Sequence, residues 1–318
     1  MLIDRKTLTV ALKQKALELG FAVCGVARAG ALENHRPFVE SWLQKGFHGP
    51  MQYMVRNQEK RIDPRLLVPG AKSLVVVAMN YYPAQHQPEK TKYKVARYAY
   101  GTDYHFVIRN RLKKLADFLT ELTEDHTYRV FTDSAPVLER AWAEEAGIGK
   151  AGKNTCLIIP HKGSFFFLGE MITSADLEAD QPFGKDLCGS CLKCMEACPT
   201  GAIVGPGVLD AGKCISCLTI ELKEEIPAHF RNRTQPWIFG CDICQEVCPH
   251  NRHSTAHDIP ELKPLDPISF WTNKEWETMT KNIFVKCFKK THSPLARVSY
   301  EKLMDNIRCA ADAESNHS

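Results

Sequence analysis

Two stretches of the chain repeat apolar residues at the three- and four-residue intervals of a single helix face. In the first, Leu8, Ala11, Leu12, Ala16 and Leu19 are followed by Gly20, a glycine placed to end the helix. The second, FVIRNRLKKLADFLTEL over 106–122, aligns Ile108, Leu112, Leu115, Leu119 and Leu122. Between them SLVVVAMN (Ser73 to Asn80) is an unbroken apolar run, the pattern of a buried strand. YRVF (128–131) predicts a short strand leading into Thr132, Asp133, Ser134, Ala135 and Pro136. Ser134 is placed to cap a helix whose Leu138, Ala141 and Trp142 face inward and which Gly147 ends. TCLIIP (155–160) and SFFFLGEMIT (164–173) read as two strands joined by a loop holding Gly163. Strands interleaved with helices predict an α/β or α+β domain.

At 318 residues, 44% hydrophobic and 25% charged, the chain has room for more than one core, which excludes fibrous and disordered architectures. No window approaches the roughly 18 uninterrupted apolar residues of a membrane span. MLIDRKTLTV also lacks the apolar segment of a signal peptide, so a cytoplasmic location is expected. The balance of 41 basic to 37 acidic residues excludes a histone-like binder but leaves room for a local basic face. The 13 cysteines change the picture, because in a reducing compartment they point to bound metal rather than disulfides.

Cys24, Cys156, Cys287 and Cys309 stand singly and read as small packing residues. Cys188, Cys191, Cys194 and Cys198, followed by Pro199, spell the C-x2-C-x2-C-x3-C-P run of bacterial ferredoxins, whose fourth cysteine serves the other cluster of a pair. Cys241, Cys244 and Cys248, followed by Pro249, repeat its ending, with Cys214 and Cys217 upstream. Thiols spaced by two in a tight loop reach one iron-sulfur cube, while the cysteine that opens the next helix points to its neighbour. The spacing thus assigns Cys188, Cys191, Cys194 and Cys248 to one 4Fe-4S cluster. Cys198, Cys241, Cys244 and either Cys214 or Cys217 fall to the second. Paired zinc sites are the weaker reading, since tetrahedral zinc needs neither a three-cysteine run nor the repeated x3-C-P ending.

Gly147, Gly149 and Gly152 match G-x-G-x-x-G, but they follow a helix and precede a strand, the reverse of a dinucleotide-binding turn. A turn that permits close backbone approach fits better. Lys150, Lys153 and Asn154 suit an anionic or amide-bearing ligand. Asp133 sits where a strand ends and a helix begins, a common ligand edge. A helix dipole would hold it ionised, so a proton-donor role requires an opposing effect such as desolvation under a large cofactor.

DSAPVLER (133–140), AGIGKAGKN (146–154), GEMIT (169–173), the paired ferredoxin motifs and KCISCLT (213–219) together resemble epoxyqueuosine reductase, over about Arg61 to Pro249. That family is related to reductive dehalogenases. The resemblance implies a cobalamin-dependent enzyme with two 4Fe-4S clusters that reduces epoxyqueuosine to queuosine at the wobble position of tRNA anticodons, the last step of queuosine biosynthesis. It implies Asp133 as proton donor and Arg61, Arg97, Lys153, Asn154, Gly163, Ser164 and Ser216 along the cobalamin. It places the second-cluster ligand at Cys214 rather than Cys217.

The implied fold class is α+β: an N-terminal α/β cobalamin-binding (nitroreductase-like) domain over 1–178, a bacterial two-cluster ferredoxin-like domain over 179–255, and a short helical tail over 256–318. Implied partners are a tRNA with a queuosine-type anticodon and an external low-potential electron donor; the sequence itself, with no membrane span, heptad or long apolar edge, predicts no membrane partner and a monomeric state. Lys90, Lys92 and Lys94; Arg109, Arg111, Lys113 and Lys114; Arg231 and Arg233; and Lys286, Lys289 and Lys290 are candidate phosphate contacts, with Tyr93, Tyr98 or Trp237 to stack bases. Many relatives carry a C-terminal helical-repeat extension; here the tail leaves room for a few helices, such as one over 275–290. Two other functions compete: a dehalogenase-type reductase of a small organic substrate, which usually carries a twin-arginine signal, and a non-catalytic electron carrier, which would leave DSAPVLER without a purpose.

Overall fold

The computed structural model describes residues 4–123 and 126–311. Helix α1 (Arg5–Glu18) is capped by Asp4, which accepts from the Lys6 and Thr7 N–H groups, and is closed by Gly20 at φ +84. Then follow strands β1 (Val23–Arg28) and β2 (Ser73–Asn80), helix α2 (Tyr104–Leu122), strand β3 (Tyr128–Phe131), helix α3 (Glu139–Glu145) and strand β4 (Phe166–Thr173). The four strands form one sheet in the order β1-β2-β4-β3, antiparallel at every pairing.

The unbroken apolar run of β2 is explained by cover on both faces. Val75, Val77 and Met79 pack with Leu8, Leu12 and Ala16 of α1 and with Ile108, Leu112 and Leu115 of α2. Leu74, Val76 and Ala78 turn the other way, onto Ala141, Trp142 and Ala143 of α3. On β1, Gly25 lets the end of α3 come so close that an added Cβ would lie 2.1 Å from the Ala146 carbonyl oxygen.

Two local expectations are corrected and a third is borne out. Ser134 does not cap α3: it turns back on Thr132, its N–H donating to the Thr132 carbonyl at 2.6 Å, and α3 begins five residues later without a side-chain cap. Of 155–160 only Leu157–Ile158 is strand, and it pairs with Lys150–Ala151 in a separate hairpin. The glycine-rich turn serves that hairpin, because a Cβ on Gly149 would meet the Ile158 carbonyl oxygen at 2.2 Å and one on Gly152 the Ile158 side chain at 2.8 Å.

The cysteine-rich segment is built from short helices, α4 (Lys193–Glu196), α5 (Ile215–Ile220) and α6 (Ile243–Glu246). Hydrophobic cores cross the expected domain limits. Trp237–Phe239 pairs in parallel with Lys94–Val95. Tyr93, Val95, Ile238 and Phe239 share one core with Trp276, Phe284, Phe288, Leu303 and Ile307 of the tail. Asn306, on helix α7 (Tyr300–Ala311), donates to the carbonyls of Thr219 and Ile238 at 2.8 and 2.9 Å. The single helix expected over 275–290 is broken into Asn273–Glu277, Lys281–Phe284 and a π-helical turn over Val285–Lys289, because Thr280 caps the second piece. Residues 312–318 of the expected tail lie outside the described residues. Among the described residues no helix is long and apolar enough to cross a membrane.

Candidate active site

Beyond β3, the buried Thr132 hydroxyl donates to the Leu168 carbonyl at 2.7 Å, which leaves Asp133 at φ +55 on the wall of a cavity of about 460 Å³. Glu139 accepts the Asp133 N–H and holds this left-handed turn. The start of α2 faces it. Asp103 caps that helix through the His105 N–H at 3.0 Å and also binds His105 Nδ1 at 2.6 Å, so Nε2 is aimed at Asp133 Oδ2, 3.4 Å away. Tyr104 Oη donates to the same oxygen at 2.7 Å while its ring stacks on Phe167 at 4.1 Å. Arg297, from the tail, brings Nη1 to 3.3 Å.

Burial pushes the Asp133 carboxyl up, but the hydrogen bonds from His105 and Tyr104 and the charge of Arg297 outweigh it and hold it well below the usual carboxylate range. For His105, burial opposes the charged form, yet hydrogen bonds to Asp103 and Asp133 raise it to about 9. Desolvation alone therefore does not protonate Asp133; at neutral pH the proton of this pair rests on the imidazole. Below it, fully buried Glu170 faces Glu139, and burial drives both carboxyls upward. Two such groups in contact do not both ionise, so one holds a proton.

Thiols share the lining of this cavity. Cys198, Cys214, Cys241 and Cys244 all line the cavity. Mutual electrostatic influence divides the cysteines into two sets: Cys194 and Cys248 respond to Cys188 and Cys191, while Cys241 and Cys244 respond to Cys214. Burial pushes the Cys214 thiol up, opposed in part by the N–H groups of Cys217 and Ser216, which donate to its Sγ. Cys217 and Cys156 also reach the cavity, and Cys156 hydrogen-bonds Cys244 rather than serving only as packing.

Of the residues expected along a cofactor, Asn154, Ser164 and Ser216 line this cavity with Asp133, whereas Arg61, Arg97, Lys153 and Gly163 do not. Arg97 is engaged by Asp242 at 3.1 Å and Glu246 at 2.8 Å. Lys153 Nζ donates to the carbonyls of Gly189 and Cys191 at 2.6 and 3.1 Å. Gly163, at φ +88, admits Asn251, whose Oδ1 would lie 2.3 Å from an added Cβ. These three fasten the cysteine-rich segment to the sheet domain. Arg61 is buried, with Nη2 donating to the Tyr53 carbonyl at 3.1 Å, one residue layer behind Tyr53 of the cavity wall.

Sequence reasoning missed Tyr104, His105, Glu139 and Arg297 as a group around Asp133. Of the three candidate stacking aromatics, Tyr93 and Trp237 are buried, whereas half-buried Tyr98 lines the cavity beside exposed Tyr53. Several candidate phosphate contacts are committed, Lys92 to Glu277 at 3.4 Å, Arg111 to Glu261 at 3.0 Å and Arg231 to Glu225 at 2.6 Å.

The donor set fits the groups expected. Leu157, Leu168, Ile203 and Leu209 offer an apolar surface to a macrocycle, Asn154, Ser164 and Ser216 offer partners to peripheral amides, and four thiols close the far side. An acid–base cluster facing the thiols of a two-cluster module across one cavity defines an iron-sulfur, cofactor-dependent reductase. Residues 61–134 match the family described as "Epoxyqueuosine reductase QueG, DUF1730", and residues 187–251 match the "4Fe-4S double cluster binding domain". The chain is 46% identical to the epoxyqueuosine reductase of Cellulophaga algicola over 93% of its own length and 95% of that protein's, and 43% identical to that of Escherichia coli over 97% and 82%. It superposes with a TM-score of 0.89 on a crystal structure of epoxyqueuosine reductase with a tRNA-Tyr epoxyqueuosine-modified stem loop, at 33% identity, covering 98% of this chain and 82% of that one. A catabolic reductive dehalogenase, at 15% identity and a TM-score of 0.50, shares the fold alone over 79% of this chain and 33% of that one. The chain belongs to the epoxyqueuosine reductase family.

Proposed function

We propose that the protein reduces epoxyqueuosine to queuosine at the wobble position of a tRNA anticodon, as a monomer supplied by an external low-potential donor. The observation that carries the reading is the Asp133–His105–Tyr104–Arg297 cluster facing Cys198, Cys214, Cys241 and Cys244 across one cavity. Opening an epoxide to an alkene and water consumes two electrons and two protons. Bound cobalamin supplies the reducing centre and the two 4Fe-4S clusters the electrons, at potentials within the range of roughly −700 to +450 mV open to such clusters.

The chain's own residues do the rest. Cys188, Cys191, Cys194 and Cys248 hold one cluster, and Cys198, Cys214, Cys241 and Cys244 the other. Asn154, Ser164 and Ser216 position the cobalamin, while Lys153, Arg97, Gly163 and Arg61 act behind the wall by fixing the segments that carry it. Asp133 presents its Oδ2 to the leaving oxygen, and protonated His105 recharges it. Tyr104 and Arg297 keep the carboxylate in place between turnovers. The wobble base must leave its stack to enter, which costs least in an anticodon loop.

Anaerobically purified protein is expected to carry corrinoid and about eight irons, and to convert an epoxyqueuosine-bearing stem loop. Asp133→Asn keeps both cofactors and lowers turnover by about 10²- to 10⁴-fold, the usual worth of a general acid. Parent-like turnover by that variant refutes the assignment of Asp133.

A further inference from the structure

Cys198, Cys214, Cys241 and Cys244 open into the Asp133 cavity, and none of Cys188, Cys191, Cys194 and Cys248 does. The neighbours of this other set wall a second cavity of about 590 Å³: Leu187 precedes Cys188, and Pro249 and His250 follow Cys248. His161, Lys185 and His253 share that lining, and no carboxylate is among the described residues that form it. Lys162 and Arg252, both exposed, adjoin His161 and His253 in the chain. Leu192, between Cys191 and Cys194, leaves 43% of its surface in water, with exposed Lys193 beside it. None of Lys162, Lys185, Lys193 and Arg252 forms an ion pair among the described residues. The acids close by in the chain are mostly committed: Asp186 to the N–H groups of Cys188 and Gly189 at 2.9 and 3.1 Å, Glu246 to Arg97 at 2.8 Å, which leaves Glu196.

We propose that this face is the docking surface of an acidic, low-potential one-electron carrier protein that delivers electrons to the cluster held by Cys188, Cys191, Cys194 and Cys248. The inference rests on the function and cluster ligands proposed above. Each visit oxidises the carrier by one electron and reduces the cluster by one, so two visits and two protons balance one epoxide converted to alkene and water. Uncommitted cations and a solvent-facing leucine on the segments that carry this cluster's cysteines or adjoin its cavity suit a brief encounter: the charges steer an acidic partner and raise its association rate by about 10- to 10³-fold, and the small apolar contact lets it leave.

The holoenzyme is tested with two reductants, an acidic flavodoxin reduced to its hydroquinone and sodium dithionite. In a variant combining Lys162→Glu, Lys185→Glu and Arg252→Glu, flavodoxin-driven bleaching of cluster absorbance and turnover are expected to fall at least tenfold at low salt. Binding of oxidised flavodoxin should weaken in parallel, while dithionite-driven turnover holds. Added salt should slow the parent with flavodoxin but not the variant, whose reversed charges repel an acidic partner until screened. Flavodoxin rates within twofold of the parent overturn the proposal, as does an equal loss with both reductants at full iron content. If the triple variant loses iron, Leu192→Ser decides in the same assays, by weakened flavodoxin binding or by parent-like behaviour. A parent that bleaches with flavodoxin but reduces no epoxyqueuosine with either reductant would instead sink the functional reading and leave the docking face standing.

Discussion

Replacing Arg297 by glutamine removes one positive charge 3.3 Å from Asp133 Oδ2 and preserves much of the side chain's volume. The two side chains are 37% and 45% exposed, so the water-like limit of Coulomb's law is the appropriate one, and at this separation it gives about 1.3 kcal/mol. That is about one pKa unit in the direction that favours protonation. Because Asp133 and His105 share a proton, the shift belongs to the pair. The parent's rate should fall as pH rises through about 9, where His105 loses its proton, and in Arg297→Gln the fall should move to about pH 10. Near pH 9.5 the variant would keep roughly three-quarters of its own plateau against about one-quarter for the parent. The assay is single-turnover conversion of an epoxyqueuosine stem loop across pH, with the Kd of the stem loop measured separately to isolate any loss of substrate binding. A limb that stays put or moves to lower pH refutes the assignment of the proton to this pair.

His105→Gln should delete the alkaline limb altogether. It should also flatten stability against pH: with its folded-state value raised to about 9, His105 contributes stability that is complete below the unfolded value of about 6.5 and lost as pH rises through 9, readable in urea midpoints at pH 6 and 10. Cys214→Ser should cost one cluster, about four of eight irons, whereas Cys217→Ser keeps the full complement; the reverse result would transfer the ligand role to Cys217. Trp276, fully buried against Trp271 and Phe288, should cost about 3–5 kcal/mol when cut to alanine, seen as a lowered Tm with the iron content of the folded fraction unchanged.

What was legible in the chain was local chemistry. Cysteine spacing assigned two sets of thiols because the ferredoxin run keeps three ligands of one cube within seven residues, and each x3-C-P ending marks the cysteine that crosses to the other cube. Asp133 was visible as a carboxylate at a strand end. Its partners were not, since Arg297 is 164 residues away and reaches the site only by the packing of the tail. His105 left one signal, Asp103 at the helix start, whose cap also fixes the ring. The apolar run of β2 foretold cover on both faces but not strand direction, because such a run results whether its neighbours are parallel or antiparallel. Lys153 and Arg97 carried charge suited to a ligand, and nothing in their spacing revealed that backbone carbonyls and Asp242 would claim them.

The placement of Arg297 makes the Asp133 site depend on a segment that follows every cluster cysteine in the chain. A chain emerging from the ribosome has all its cluster cysteines by Cys248, well before the residue that steadies Asp133, and N-terminal parts fold first during synthesis. Arg297 lines the cavity, so its wall is incomplete until the tail has packed. Arrival of the tail then brings Arg297 onto Asp133 and buries Trp276 and Leu303 against Phe239 in one step. The carboxylate at the heart of the pocket is thus steadied from both ends of the chain, by Tyr104 and His105 before the cluster cysteines and by Arg297 after them.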